Sequence, residues 1–399
     1  MAFFGNDAVN RVNLHYGVQA LAAGAGGVFF FAILLHAGIP VPAALASFAA
    51  IIAGRLALRP LILPLGKRWG LRPMVIAGAL LTALDYVMLG QVRGLGWWLA
   101  AYCVVSAFGS TLYWPSYHAY FAALGDAEHR GHQIGAREAL AALVGIVAPL
   151  IGAWGLVTVG ARWTFWGVAA VQALSATPLF FAPNVPVLAT APGAFKAARR
   201  GMALFVTDGW MGGTLYYVWQ AVLFISLGRS LAAFGGAMAL AALAGAVIGL
   251  LFGRHIDRGH GQRAVVVAYA VTAGVVLVRA ASLGSPWLAV IGNASGAFIA
   301  ALAGPALMTA VYNLAKASPC PLRFHIATEG AWDVGCGSGA LTAAALAAAG
   351  VSLALAILLA LPAAALSAWL LWRYYGADPA AGEIEVAAPL VIAEPHAPP

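Results

Sequence analysis

Glu329 and Asp333 stand four residues apart in an otherwise apolar or small-residue stretch, and Arg55 and Arg59 do the same far upstream. Residues four apart share one face of a helix, so each pair would present two like charges side by side. Ionised groups in apolar segments either pair with an opposite charge, relay protons or meet a charged ligand in an aqueous hollow. Asp85 and Asp208 belong to the same group, as do Arg137 and Glu138 at the start of an apolar run, with Arg254 placed to answer Glu138. Aromatic residues with polar tips form a second set: Tyr113, Trp114, Tyr117 and His118 in one segment, and Tyr216, Trp219 and Gln220 shortly after Asp208. Helical spacing puts Tyr113, Tyr117 and Phe121 on one stripe and Trp114 and His118 on the next. Such rings suit the wall of a ligand cavity, and they suit ordinary helix packing as well.

Other chemistries find less support. Cys103, Cys320 and Cys336 have no paired spacing, so neither a disulfide framework nor a metal site is expected. Asp333-Val-Gly-Cys-Gly-Ser-Gly339 spells the glycine-rich loop of S-adenosylmethionine methyltransferases. That loop needs a strand before it and an acid some way after it. Here no strand pattern precedes it, and the run to Trp372 holds no acid. Close packing of helices through small residues accounts for these glycines more simply. Nothing matches a phosphate-binding G-x-x-x-x-G-K-[ST] loop, so no nucleotide or other cofactor is expected.

The elements that must position these groups are dictated by composition. Hydrophobic residues make up 63% of the 399 and charged residues 9%. That leaves too little polar surface for a water-soluble fold. Apolar stretches recur, each long enough to cross the ~30 Å hydrocarbon layer as a helix. The pattern predicts an all-α membrane protein of twelve transmembrane helices, over 14–38, 43–66, 73–93, 97–124, 132–158 and 162–182, then 201–227, 231–254, 262–282, 286–315, 324–349 and 350–374. Residues 1–13 read as a cytoplasmic tail, 14–182 and 201–375 as two six-helix halves, 183–200 as a proline-punctuated cytoplasmic linker, and 376–399 as a disordered cytoplasmic tail.

With the amino terminus inside, the cytoplasmic segments hold fourteen of the 21 bases: Arg11, Lys67, Arg68, Arg72, Arg130, Lys196, Arg199, Arg200, Arg254, Arg258, Arg263, Lys316, Arg323 and Arg373. The outside holds Arg93, Arg162 and Arg229, while Arg55, Arg59, Arg137 and Arg279 fall inside apolar segments. Basic residues favour the cytoplasmic side, so both termini are expected there. The same scatter over short loops argues against a nucleic-acid partner, despite the net charge of +8.

The halves repeat at a shift of about 190 residues. Phe29–Gly38 lies over Trp219–Gly228, Pro115 over Pro305, and Ile134-Gly-Ala-Arg-Glu138 near His325-Ile-Ala-Thr-Glu329. The loop Gly253-Arg-His-Ile-Asp257-Arg258-Gly-His-Gly261-Gln-Arg263 resembles the G-x-x-x-D-R-x-G-R loop of the major facilitator superfamily, with one extra residue. Its counterpart, Leu63-Pro-Leu-Gly-Lys67-Arg68-Trp-Gly70-Leu-Arg72, keeps Arg68, Gly70 and Arg72 but has Lys67 where that family usually has an acid. The resemblance implies a monomeric, rocker-type secondary transporter with a substrate site between the halves near the bilayer midplane.

In that family the second and eleventh helices face each other across the cytoplasmic half of the cleft. Arg59 lies about seven residues from its predicted inner end and Glu329 about five, while Arg55 lies about eleven and Asp333 about nine. At 1.5 Å per residue each pair matches in depth within about 3 Å. A two-rung charge zipper, Arg59 with Glu329 and Arg55 with Asp333, is therefore expected to close the inner side. The rival is a static Arg55–Asp85 pair within one half. The expected function is secondary active transport of a small organic solute across a bacterial-type inner membrane by alternating access, with protons as the coupling ion. The protein is not expected to be an enzyme. An embedded enzyme or a transporter-like sensor that moves nothing are the alternatives. An arginine of the 55/59 pair left unpaired would favour an anionic cargo; pinning of both would favour a neutral or cationic aromatic one.

Overall fold

A backbone in hydrocarbon has no water to bond, so its amides and carbonyls must satisfy one another within a helix. The computed structural model describes residues 6–124, 130–252 and 261–377, and the side chains of 130–142 and 249–252 lie outside that description. Among the described residues there are helices and connecting turns and no strand. The long helices are α1 (Asp7–His36), α2 (Val41–Trp69), α3 (Leu71–Leu89), α4 (Trp97–Leu124), α5 (Arg130–Thr158) and α6 (Ala161–Ser175). Next comes α7 (Arg199–Met211), which continues through one π turn, Gly212–Tyr216, into Tyr217–Ser226. Then follow α8 (Leu231–Phe252), α9 (Gly261–Ala281), α10 (Pro286–Lys316), α11 (Pro321–Ala348) and α12 (Leu353–Ala377).

Among the described residues seven helices are long and apolar enough to cross a membrane: α1, α2, α3, α8, α9, α10 and α12. Three of the other helices depart from that pattern for visible reasons: α4 is rich in aromatic, small and hydroxyl residues, α7 is interrupted by its π turn, and α11 carries Arg323, Glu329 and Asp333.

Boundaries follow capping chemistry. The Asn6 side chain accepts a hydrogen bond from the Val9 amide at 3.1 Å, and Asp7 sits in the first turn of α1. Residues 7–13, expected as part of a tail, are therefore helical. Ser285 caps α10 in the same way, with Pro286 at its first position. Pro60, which has no amide hydrogen, coincides with a 3-10 turn over Arg59–Leu61 inside α2. Gly70 takes a left-handed φ of 78° between α2 and α3.

Helix α11 is the hub. It packs on α2, α4 and α7, while α7 also packs on α12. Helices early in the chain meet late ones along α2–α11, α4–α11 and α5–α8. The glycine run 335–339 lies wholly within α11, as helix rather than nucleotide-binding loop. At Gly335 an added Cβ would collide with the Val206 carbonyl of α7, so the glycine lets the two backbones touch.

The stretch between α6 and α7 straps several helices together at one end. The Leu71 amide donates to the Val185 carbonyl at 2.9 Å, Arg72 donates to Ala182 at 2.8 Å, and the Tyr120 hydroxyl donates to Pro183 at 2.5 Å. From α11, Arg323 donates to the Leu188 and Ala189 carbonyls at 3.1 and 3.0 Å.

Candidate functional site

One turn separates Arg55 from Arg59 on α2, and one turn separates Glu329 from Asp333 on α11, so two bases face two acids where these helices pack. All four are buried, with residue exposures of 7% and 5% for the arginines and 9% and 1% for the acids. Asp333 sits between both guanidinium groups. Its Oδ1 lies 3.0 Å from Arg55 Nη2, and its Oδ2 accepts from Arg59 Nε at 2.8 Å and from Arg59 Nη2 as well. Glu329 Oε2 lies 3.4 Å from Arg55 Nη2 and 3.7 Å from Arg59 Nη2. The spacing argument paired Arg59 with Glu329 and Arg55 with Asp333 as separate rungs. The structure forms all four pairings, because an arginine side chain is longer than the offset in depth that rungs require. Arg55 is not paired with Asp85. That acid is buried on α3.

The cluster is neutral as a whole, while each helix alone contributes two like charges. It is not saturated in hydrogen bonds: Arg55 Nε and Arg59 Nη1 are buried without a partner. Such a buried ion cluster adds little net stability, yet removing one member leaves an uncompensated charge at a cost of about 3–5 kcal/mol. Around it lie His118, whose Nε2 is 4.0 Å from Glu329 Oε1, and His325, whose ring stacks on that of His118 at 5.6 Å. Arg55 also lies over the Trp332 ring at 5.4 Å, and the Trp332 indole donates to Asp208 Oδ2 at 3.0 Å. The cluster thereby connects to α7.

The expected cavity residues divide. Tyr113 and Tyr117 are packed inside the fold: the Tyr113 hydroxyl lies 2.9 Å from His15 Nε2 of α1, and Tyr117 stacks on Tyr16 and on Tyr113 at 5.5 Å each. Trp114 stacks on His118 at 5.8 Å, beside the ion cluster. Trp219 is buried and donates to Asn293 Oδ1 at 3.0 Å, whereas Gln220 is half-buried. Tyr216 and Asp208 line a hollow of about 260 Å³ between α7, α9 and α10, together with Tyr269, Thr272 and Arg279. A second hollow, about 490 Å³, is an almost wholly apolar groove between α8 and α10. The substrate cavity expected between the two halves corresponds to neither, since each is built from late helices alone.

Of the loop residues, Lys67 and Arg68 are exposed, and Gly70 and Arg72 meet the strap through Asn184 and Ala182. The backbone of Arg137 and Glu138 lies in α5, with their side chains outside the described part. Gly253, Arg254, Asp257 and Arg258 lie outside the described residues. Sequence reasoning gave no role to Trp332 or Arg279. The signal for Arg279 was available: Gly292 and Gly296, one turn apart on the next helix, make room for a large side chain.

A bundle with spans apolar enough for the bilayer, and with an ion cluster buried where two helices meet, defines an integral membrane protein of the solute-transporter class. The chain belongs to the Major Facilitator Superfamily, whose sequence profile matches residues 16–319. Among solved structures it is similar to the human organic anion transporter MFSD10 (TETRAN), at 18% identity and TM-score 0.65, over 92% of this chain and 99% of that one. It is similar also to a variant of the nucleoside transporter NupG, at 12% identity and TM-score 0.66, over 92% and 100%. The POT family transporter PepTSo gives 12% and 0.64, over 93% and 98%. At these identities the likeness is one of fold. No protein of curated function matches the sequence.

Proposed function

We propose that this protein is a secondary active transporter that moves a small organic solute across the inner membrane by alternating access, driven by protons. In this reading twelve helices form two six-helix halves, and both termini are cytoplasmic. The observation that carries it is the neutral four-charge cluster between α2 and α11. Held together, two acids and two bases balance one another's charge. Pulled apart, each helix exposes two like charges that must be hydrated. The cluster is thus a latch with two states, shut and dry or open and wet, which is what a cytoplasmic gate requires.

His118 and Glu329 touch at the edge of the latch, and Asp208 is joined to it through Trp332. A proton arriving at any of these groups changes the charge that the latch must balance, and this supports coupling to protons. Since Arg55 and Arg59 are both held by acids, neither is available to read a cargo while the latch is shut.

The test is counterflow in proteoliposomes with the purified protein. Exchange of a solute across a sealed membrane, accelerated by an imposed pH gradient, is the expected result. Exchange indifferent to that gradient refutes proton coupling, and absence of exchange with every solute offered refutes the carrier reading in favour of a sensor or enzyme.

A further inference from the structure

The acid and base that line the 260 Å³ hollow do not pair with each other. Arg279 lies two residues before the end of α9, where an arginine ordinarily extends toward the nearby membrane surface. Here it is 5% exposed and turns the other way. Its guanidinium carbon lies 4.7 Å from the Trp219 ring centroid, and Nε donates to the Gly292 carbonyl at 3.0 Å. Nη2 rests against Gly296, a lining residue where an added Cβ would displace it, and Nη1 is buried with no hydrogen-bond partner. Among the described residues no carboxylate lies within ion-pair distance of it. A buried guanidinium that borders a hollow and has no carboxylate partner is costly unless something anionic joins it there.

Asp208 borders the same hollow from α7 and is anchored on the latch side by Trp332. On α10 the lining runs from Gly296 to Leu307, about 16 Å along the helix axis. The Tyr216 and Tyr269 side chains and apolar Ile299 and Leu307 line the same hollow. The hollow is small beside the common range of about 300–1,000 Å³ for ligand pockets, so it admits only a molecule of few atoms.

We infer that this hollow is a binding site for an elongated zwitterion, with its carboxylate on Arg279, its ammonium on Asp208 and an apolar midsection against the tyrosines. The inference deepens the transport reading by naming a cargo class and rests on that reading only for the movement of the ligand, not for its binding.

Binding and movement are therefore tested separately. The full chain in detergent is titrated calorimetrically and by thermal shift with 6-aminohexanoate, hexanoate and hexylamine. The expected result is that 6-aminohexanoate binds at least about tenfold more tightly than either single-charge analogue, since each lost charge leaves a buried partner unpaired. Arg279→Gln is expected to bring 6-aminohexanoate down to the affinity of hexylamine, and Asp208→Asn to bring it down to that of hexanoate. These variants change selectivity in opposite directions, which a merely structural role would not do. Should Arg279→Gln fail to fold, Asp208→Asn alone decides. Equal affinity for all three probes, no binding of 6-aminohexanoate, or unchanged selectivity in the folded variants overturns the site. Binding of the zwitterion without counterflow leaves the site standing and removes the carrier reading; counterflow of another solute without such binding does the reverse.

Discussion

Along α2 and α11 four charged groups cancel one another in direct ion pairs, whereas across the α7–α9–α10 hollow Asp208 and Arg279 share a space without pairing. Both regions bury charge in a membrane protein, and the difference lies in what completes them. The first is balanced in charge within the chain, so it can open or close without a ligand. The second is incomplete, so it waits for a molecule. Trp332 links them, stacking on Arg55 while donating to Asp208, so a ligand on Asp208 would be felt at the latch.

The comparison breaks if the latch charges are not energetically joined. Reversing one of them, Arg59→Asp, is expected to abolish counterflow, and adding Asp333→Arg to restore a substantial fraction of it. Loss of one buried partner costs about 3–5 kcal/mol, a shift of more than about 100-fold in a two-state balance. Absence of any rescue would mean that the cluster is static packing.

A smaller effect grades the two acids. Asp333 touches both arginines more closely than Glu329 does and is the more buried. Neutralising it, Asp333→Asn, is expected to open the inner side more than Glu329→Gln, by about threefold or more in the rate at which a membrane-impermeant maleimide labels Cys320. Cys320 is buried at the start of α11 in the closed structure. Equal labelling in both variants would show that the latch does not distinguish its acids.

The smallest effect lies on the hollow's side. Trp219→Phe keeps a ring under Arg279 but loses the indole bond to Asn293. A loss of about 1 kcal/mol, or a fall in Tm of about 2 °C, is expected, with Cys320 labelling unchanged. A change in that labelling would mean that the two regions are not separable.

Much of this was legible beforehand. Helix positions follow from runs of apolar residues, because hydrocarbon forces the backbone to satisfy itself locally. The like-charged pairs on α2 and α11 and their matching depth follow from residue spacing, while the expectation that these helices face each other came from the family resemblance. The start of α1 reads as tail by hydropathy because residues 6–13 are mostly polar, although Asn6-Asp7 is a capping signal. Tyr113 and Tyr117 carry the same rings that line cavities, and only the placement of His15 and Tyr16 on α1 turns them into packing.

Thus the order of residues by itself determined the helices, their likeness to a transporter family, and which faces carry charge, since all of these depend on neighbours within one or two turns. Which guanidinium meets which carboxylate, and that Arg279 turns inward toward Gly296 rather than outward to the membrane surface, were decided by the tertiary structure. A long flexible side chain has several reachable partners at similar local energy, and only the packing of a distant helix decides which of them it meets.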